Sequence, residues 1–163
     1  MTHDEIFAKT AINQWKQVID RLDQAFSSLS DEELQTELAP GRNRVFYLLG
    51  HMTAVHDRLI PLLGLGDRLH AELDDEFIAN PDGKSSDRAS AADLRRAWSE
   101  VNQHLATAFD ALAPEAWLQR HRAVSEEDFA KEPLRNRLAV LLSRTSHAAG
   151  HFSQISLVAK RKP

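Results

Sequence analysis

Four long stretches of this chain place apolar residues three and four positions apart, and that period constrains the fold more than any other feature. In the first stretch, Ile12, Trp15, Ile19, Leu22, Phe26 and Leu29 form one stripe, which predicts a helix from about Asp4 to Ser28. Residues so spaced share one side of a 3.6-residue turn; on a strand the same set would scatter over both faces. Ser30 with Glu33 makes a capping box, opening a short helical turn that ends near Ala39-Pro40-Gly41. The second helix is expected from about Asn43 to Leu63, with Leu48, Met52, Val55, Leu59 and Leu62 on its stripe and Gly64 and Gly66 closing it. Ser90 with Asp93 opens the third, whose seam is Leu94, Trp98, Val101, Leu105, Ala108 and Leu112. The fourth runs from about Leu134 to Lys160 along Leu134, Leu138, Leu141, Thr145, Ala148, Phe152 and Ile155.

Two connections stand out. Asp67 to Ala89, containing Asn80-Pro81-Asp82-Gly83-Lys84-Ser85-Ser86, is long for a loop within one domain. Such a loop is functional or crosses between distant helix ends, and Leu69 to Phe77 has the pattern of a helical turn inside it. Residues 113–133 hold a short helix at Pro114 to Leu118 and a turn begun by Ser125 before Glu132-Pro133. No segment sustains a period of two. The expected fold is therefore all-α, a four-helix bundle with a long crossover between the second and third helices. A chain of 163 residues is long enough to bury one core, so residues 1–163 are read as a single domain.

Composition removes several classes of function. The chain has no cysteine, which excludes disulfides, thiolate metal ligands and a cysteine nucleophile and fits a reducing cytoplasm. A net charge of −4 offers no attraction for nucleic acid or an anionic membrane, so neither is expected as a partner. The basic run Lys160-Arg161-Lys162 reads as a solvated helix end. No apolar run approaches the ~20 residues of a membrane span, and MTHDEIFAKTAINQ lacks a signal-peptide pattern, so a cytoplasmic location is expected.

The fourth helix departs from a plain seam. His147 and His151 lie on a second stripe bracketed by Val140, Ile155 and Val158. Residues four apart on a helix have Cβ atoms about 5–6 Å apart, close enough for two imidazoles to hold one cation. Zinc helices of the HExxH type use the same spacing, but Ala148 and Ala149 occupy the interval here, so the glutamate base of those proteases is missing. On the second helix His51 sits about 60° to one side of the stripe and His56 about 80° to the other, so they do not face one groove. Spacing alone leaves two readings of these histidines: metal ligands, or structural and surface residues. A Ser-His-Asp arrangement is set aside, because Ser146 adjoins His147 and points about 100° away, and nothing activates Ser143.

Leu48-Leu49-Gly50-His51, His147-x-x-x-His151 with Gln154, and the order of the four helices together resemble the DinB superfamily over nearly the whole chain. The resemblance implies an up-down-down-up bundle, commonly a homodimer, with a divalent metal held by His51, His147 and His151. Relatives in that family include S-transferases that use bacillithiol or mycothiol, a maleylpyruvate isomerase and hydrolases. For this chain it therefore implies a metal-dependent enzyme acting on a small molecule, as thiol-dependent S-transferase or hydrolase. The expected cofactor is a divalent ion, zinc or nickel foremost, with a low-molecular-weight thiol as candidate cosubstrate. Asp57, Asn43 and Gln154 are candidates to accept from the ligands' other ring nitrogens. Arg144, three residues before His147, either points outward in a salt bridge or contacts an anionic substrate. His56 and His104 read as structural or surface residues. Residues 113–133, with His121 and Glu126-Glu127-Asp128, read as a solvated loop or as a cap on one bundle end. The rival expectation is a non-enzymatic dimeric stress or interaction protein that keeps the bundle with an idle or empty metal site.

Overall fold

Three of the four long helices begin where a side chain serves a free amide. In the computed structural model, which describes residues 1–84 and 87–159, α1 (His3–Ser27) and the short α2 (Asp31–Leu34) both open with reciprocal capping boxes, Thr2 with Glu5 and Ser30 with Glu33. Ser90 accepts from the Asp93 amide to open α5 (Ala91–Ala111). α3 (Val45–Asp57) has no such cap; its first turn is held by Arg44, whose guanidinium and backbone amide both bond Asp82. The expected helix from Asn43 to Leu63 is thus shorter and broken. Pro61 has no N–H for the carbonyl four residues earlier, so the chain steps at Arg58 and continues as α4 (Leu59–Leu62). Pro114–Leu118 forms a 3₁₀ turn, followed by α6 (Glu126–Lys131) and α7 (Arg137–Ala159). Leu134, expected on the core stripe, precedes α7 in a turn and is 78% exposed. Lys160 to Lys162 and Ser85-Ser86 lie outside the described residues.

The four long helices contact one another in a ring: α1 meets α7 and α5, and α3 meets α5 and α7. Side-chain pairs give their directions. Lys16 bonds Asp110 and Trp98 donates to Asp23, so α1 and α5 run antiparallel. Leu48 faces the same cavity as Leu157, while His56 feels the charge of Arg144, so α3 and α7 are also antiparallel. Leu49 lines a groove with Asp23 and Phe26, and His56 meets Trp15, so α3 opposes α1 as well. These contacts are compatible with the up-down-down-up bundle. Ile12, Trp15, Ile19, Leu22 and Phe26 of α1 are buried as their spacing requires, and so are Leu94, Trp98, Val101 and Leu105 of α5. Trp15, Phe109 and Trp117 pack edge to face across one end. There the segment 113–133 divides: Trp117 and Val124 are buried, while α6 has no buried residue.

Because α3 and α5 point the same way, the chain must travel back along α3 before α5 can start. It does so in close contact. Asp57 accepts from the amides of Leu69 and His70, the His51 imidazole reaches the Phe77 carbonyl, Tyr47 donates to the Asn80 carbonyl, and Arg44 holds Asp82. Each step back along α3 is matched by a step forward in the connection, which includes a π-type turn at Asp75–Ala79. The long loop is a crossover, bonded to the helix it retraces.

Asp57 is the buried knot at one end of that track. It is fully buried, and besides the two amides it takes the Arg68 guanidinium at 2.6 Å. Asp57→Asn presents an amide NH₂ to a set made only of donors. It is expected to cost about 2 kcal/mol, read as a lower urea midpoint, with the loss largely absent in an Arg68→Met background. Equal losses in both backgrounds would refute the account.

Candidate metal centre

The site begins with two registers. On α7 the four-residue interval stacks His147 and His151, with ring centroids 4.5 Å apart and their Nε2 atoms 3.1 Å apart. On α3, His51 brings its ring to 5.5 Å from each of the other two. One nitrogen from each residue lies within 4.8 Å of the other two, and all three side chains are half-buried. His51, His147 and His151, drawn from two different helices, therefore converge as one cluster.

Hydrogen bonds decide which nitrogens face inward. The Phe77 carbonyl can only accept, so at 3.0 Å it holds the proton on Nδ1 of His51 and leaves Nε2 as a lone pair. Tyr47 lies nearly parallel to that ring, with the centroids 6.2 Å apart. Gln154 Oε1, at 2.9 Å, does for Nδ1 of His151 what the Phe77 carbonyl does for His51. His147 has no such partner among the described residues, and its Nδ1 is a buried polar atom without a hydrogen bond. Its Nε2 meets the His151 Nε2 lone pair at 3.1 Å and can donate a proton there, the place a bound cation would take. Ligands about 2.05 Å from a tetrahedral ion are about 3.3 Å apart, close to the spacing seen here.

Electrostatics favours neutral rings. Burial pushes the His147 imidazole down to about 4, with the positive forms of His151 and His51 and the charge of Arg144 adding to the effect. Burial lowers His151 as well, against the opposing effect of its hydrogen bond to Gln154. At neutral pH the His147 and His151 rings are therefore neutral, the state a metal requires. The donor set is three imidazoles with no carboxylate among them, which suits zinc, nickel or another borderline divalent ion and leaves positions open beyond the three nitrogens.

The remaining expectations fall in distinct places. Asp57 is occupied by Arg68 and the crossover and touches none of the three histidines. Asn43 lines a cavity together with His151 and Gln154. Arg144 sits with a buried, unbonded Nε beside His147 and His56, and does not line that cavity. Sequence reasoning missed Phe77, whose contribution is a backbone carbonyl, and Arg42, which lines the same cavity. Neither residue type nor spacing marks a carbonyl as an acceptor. Arg42 carried a weak signal: it follows the turn glycine Gly41 just ahead of α3.

His56 is structural, and its state has a measurable consequence. It is completely buried; Asn102 gives its Nδ2 to the Trp98 carbonyl and turns Oδ1 to His56 Nδ1 at 2.8 Å. Burial, opposed by that bond, pushes its pKa from 6.5 down to about 4. Between those values the unfolded chain takes up a proton that the folded chain refuses. Stability therefore falls as pH falls through that window and is fully present above it. The contribution by pH 4.5 is about 2–3 kcal/mol, seen as a steeper acid loss in urea unfolding than His56→Leu shows. Parallel pH curves for the two proteins would contradict it.

An all-α chain whose helices bring three imidazoles together belongs to the class of helical bundles with an inward-facing histidine site. A family model described as the DinB superfamily matches residues 14–155, and the chain belongs to that superfamily. No curated protein matches the chain. Among the described residues no helix is long and apolar enough to cross a membrane.

Proposed function

We propose that this protein is a metal-dependent enzyme of the transferase or hydrolase type, with a divalent ion held by His51, His147 and His151. The observation that carries the reading is the tautomer arrangement. Two of the three rings have Nδ1 tied to an acceptor outside the cluster, so that Nε2 is presented inward. A structural histidine pair would have no need of a third imidazole aimed at the same point.

A divalent ion held by these three histidines would supply Lewis acidity toward a water or a thiol. The chain's own groups do the rest. The Phe77 carbonyl and Gln154 hold two rings in the ligating orientation, which spares the cost of ordering them when the ion binds. Leu48 and Leu157 give the cavity beside His151 an apolar wall. Because the chain has no cysteine, a thiol nucleophile would enter as a low-molecular-weight cosubstrate.

The test is elemental analysis of untagged protein after zinc or nickel supplementation, followed by a screen of the loaded protein. Small thiols with an electrophilic acceptor form one arm, and ester and amide substrates form the other. About one ion per chain with turnover in either arm supports the proposal. Less than about a tenth of an ion per chain after supplementation overturns it.

A further inference from the structure

Beside His151 and Gln154 lies a cavity of about 440 Å³, a size that takes a small organic ligand. Its walls include Leu38, Leu48 and Leu157, and its one charged lining residue is Arg42. Resting on the reading of the histidines as a metal centre, we infer that this cavity receives a small carboxylate. The ligand's apolar body would lie on the leucines, its carboxylate on Arg42, and its reacting end toward the histidines.

The argument starts from how Arg42 is placed. Gly41 adopts φ 71°, in the left-handed region, and its amide donates to Glu37 Oε2 at 2.9 Å. The Arg42 amide donates to the Ala39 carbonyl, and Leu38 donates to Asn43 across the same turn. The turn is therefore built, and it sets the Arg42 side chain at the cavity. Arg44, two residues on, has its guanidinium divided among Asp82, Asp87 and Gln35. Arg42 differs: among the described residues its guanidinium has no hydrogen-bond or ion-pair partner. Its charge is not used to hold the fold.

Charge complementarity then selects the ligand. No acidic side chain lines the cavity, so an anion meets only Arg42, whereas a cation meets repulsion. A planar guanidinium matches a carboxylate through two parallel N–H···O bonds. Leu157 is 59% exposed, and in this position it offers apolar contact to a hydrocarbon body.

The experiment uses the full chain, both stripped of metal and loaded with zinc, and titrates hexanoate calorimetrically. Hexanol, hexylammonium and inorganic phosphate serve as matched probes. Saturable hexanoate binding is expected in both forms, weakened about tenfold or more by Arg42→Gln and by Leu157→Glu, which sets a like charge in the wall. Hexylammonium is expected not to bind. Both variants alter exposed positions, and a thermal melt confirms that each is folded. Three results overturn the inference: no saturable hexanoate binding, undiminished binding in Arg42→Gln, or hexanol or phosphate binding as well as hexanoate. The metal-free arm separates this proposal from the preceding one. Hexanoate binding without any metal uptake would sink the enzyme reading and leave the carboxylate site, and metal uptake without hexanoate binding would do the reverse.

Discussion

Purified His147→Ala protein is expected to retain no stoichiometric divalent metal while keeping its helical circular dichroism. Removing one of three nitrogen ligands should weaken the ion by at least about a hundredfold, more than removal of an outer hydrogen-bond partner would. The parent chain, loaded with zinc at 100–1,000 times its dissociation constant, gains about 3–4 kcal/mol, because the ion binds only the folded state. For a domain of this size that is a rise in melting temperature of roughly 6–16 °C, reversed by a chelator and missing in the variant. His147 is the informative choice among the three. Its Nδ1 is buried without a partner, and its ring is pressed by two other imidazoles and Arg144. Alanine removes those penalties along with the packing, so the metal-free variant should lie within about 1 kcal/mol of the metal-free parent. Metal content unchanged in His147→Ala would end the three-histidine account. A large loss of stability without metal would recast the residue as a core element.

The sequence carried this much because helices are local. The 3.6-residue period locates α1, α5 and α7 and assigns their buried faces, and the interval from His147 to His151 states its own geometry. What it could not carry was anything decided between elements. Pro61 announced a break, yet the seam through Leu59 and Leu62 read as one helix across it. Phe109 is fully buried where the seam pointed to Ala108, because Trp15 and Trp117 converge on it from other segments. Asp57 had the right neighbourhood for a histidine partner, but the returning crossover claims it. His56, placed at the border of the stripe, is completely enclosed because α3 is surrounded by α5, α7 and the crossover. The carbonyl that orients His51 belongs to a residue twenty-six positions away, so no short motif contains it.

Two glycines, each immediately before a site histidine, are expected to respond to the same substitution with opposite sign. A Cβ on Gly50 would lie 2.4 Å from two atoms of the Phe77 ring and 2.6 Å from a third. Real carbon contacts do not come so close, and the ring is 1% exposed, wedged between Phe46 and Tyr47. A Cβ on Gly150 would meet nothing within 4 Å. In a helix interior, alanine is favoured over glycine by about 1 kcal/mol, so Gly150→Ala should stabilise the protein by up to that amount. At Gly50 the same gain is outweighed by overpacking, for a net loss of about 2 kcal/mol or more. The site should register it too. Relief of the clash moves Phe77 and its carbonyl away from Nδ1 of His51, freeing that ring to turn, and loosening such a partner lowers metal affinity about 10–100-fold. Gly50→Ala combined with Phe77→Ala removes the clash but leaves the carbonyl in the chain. It should recover part of the metal affinity while losing further stability from the emptied core. Urea unfolding and zinc titration of the three variants check the set. If Gly50→Ala binds zinc like the parent, the close approach of the crossover to α3 serves packing alone and does not orient His51.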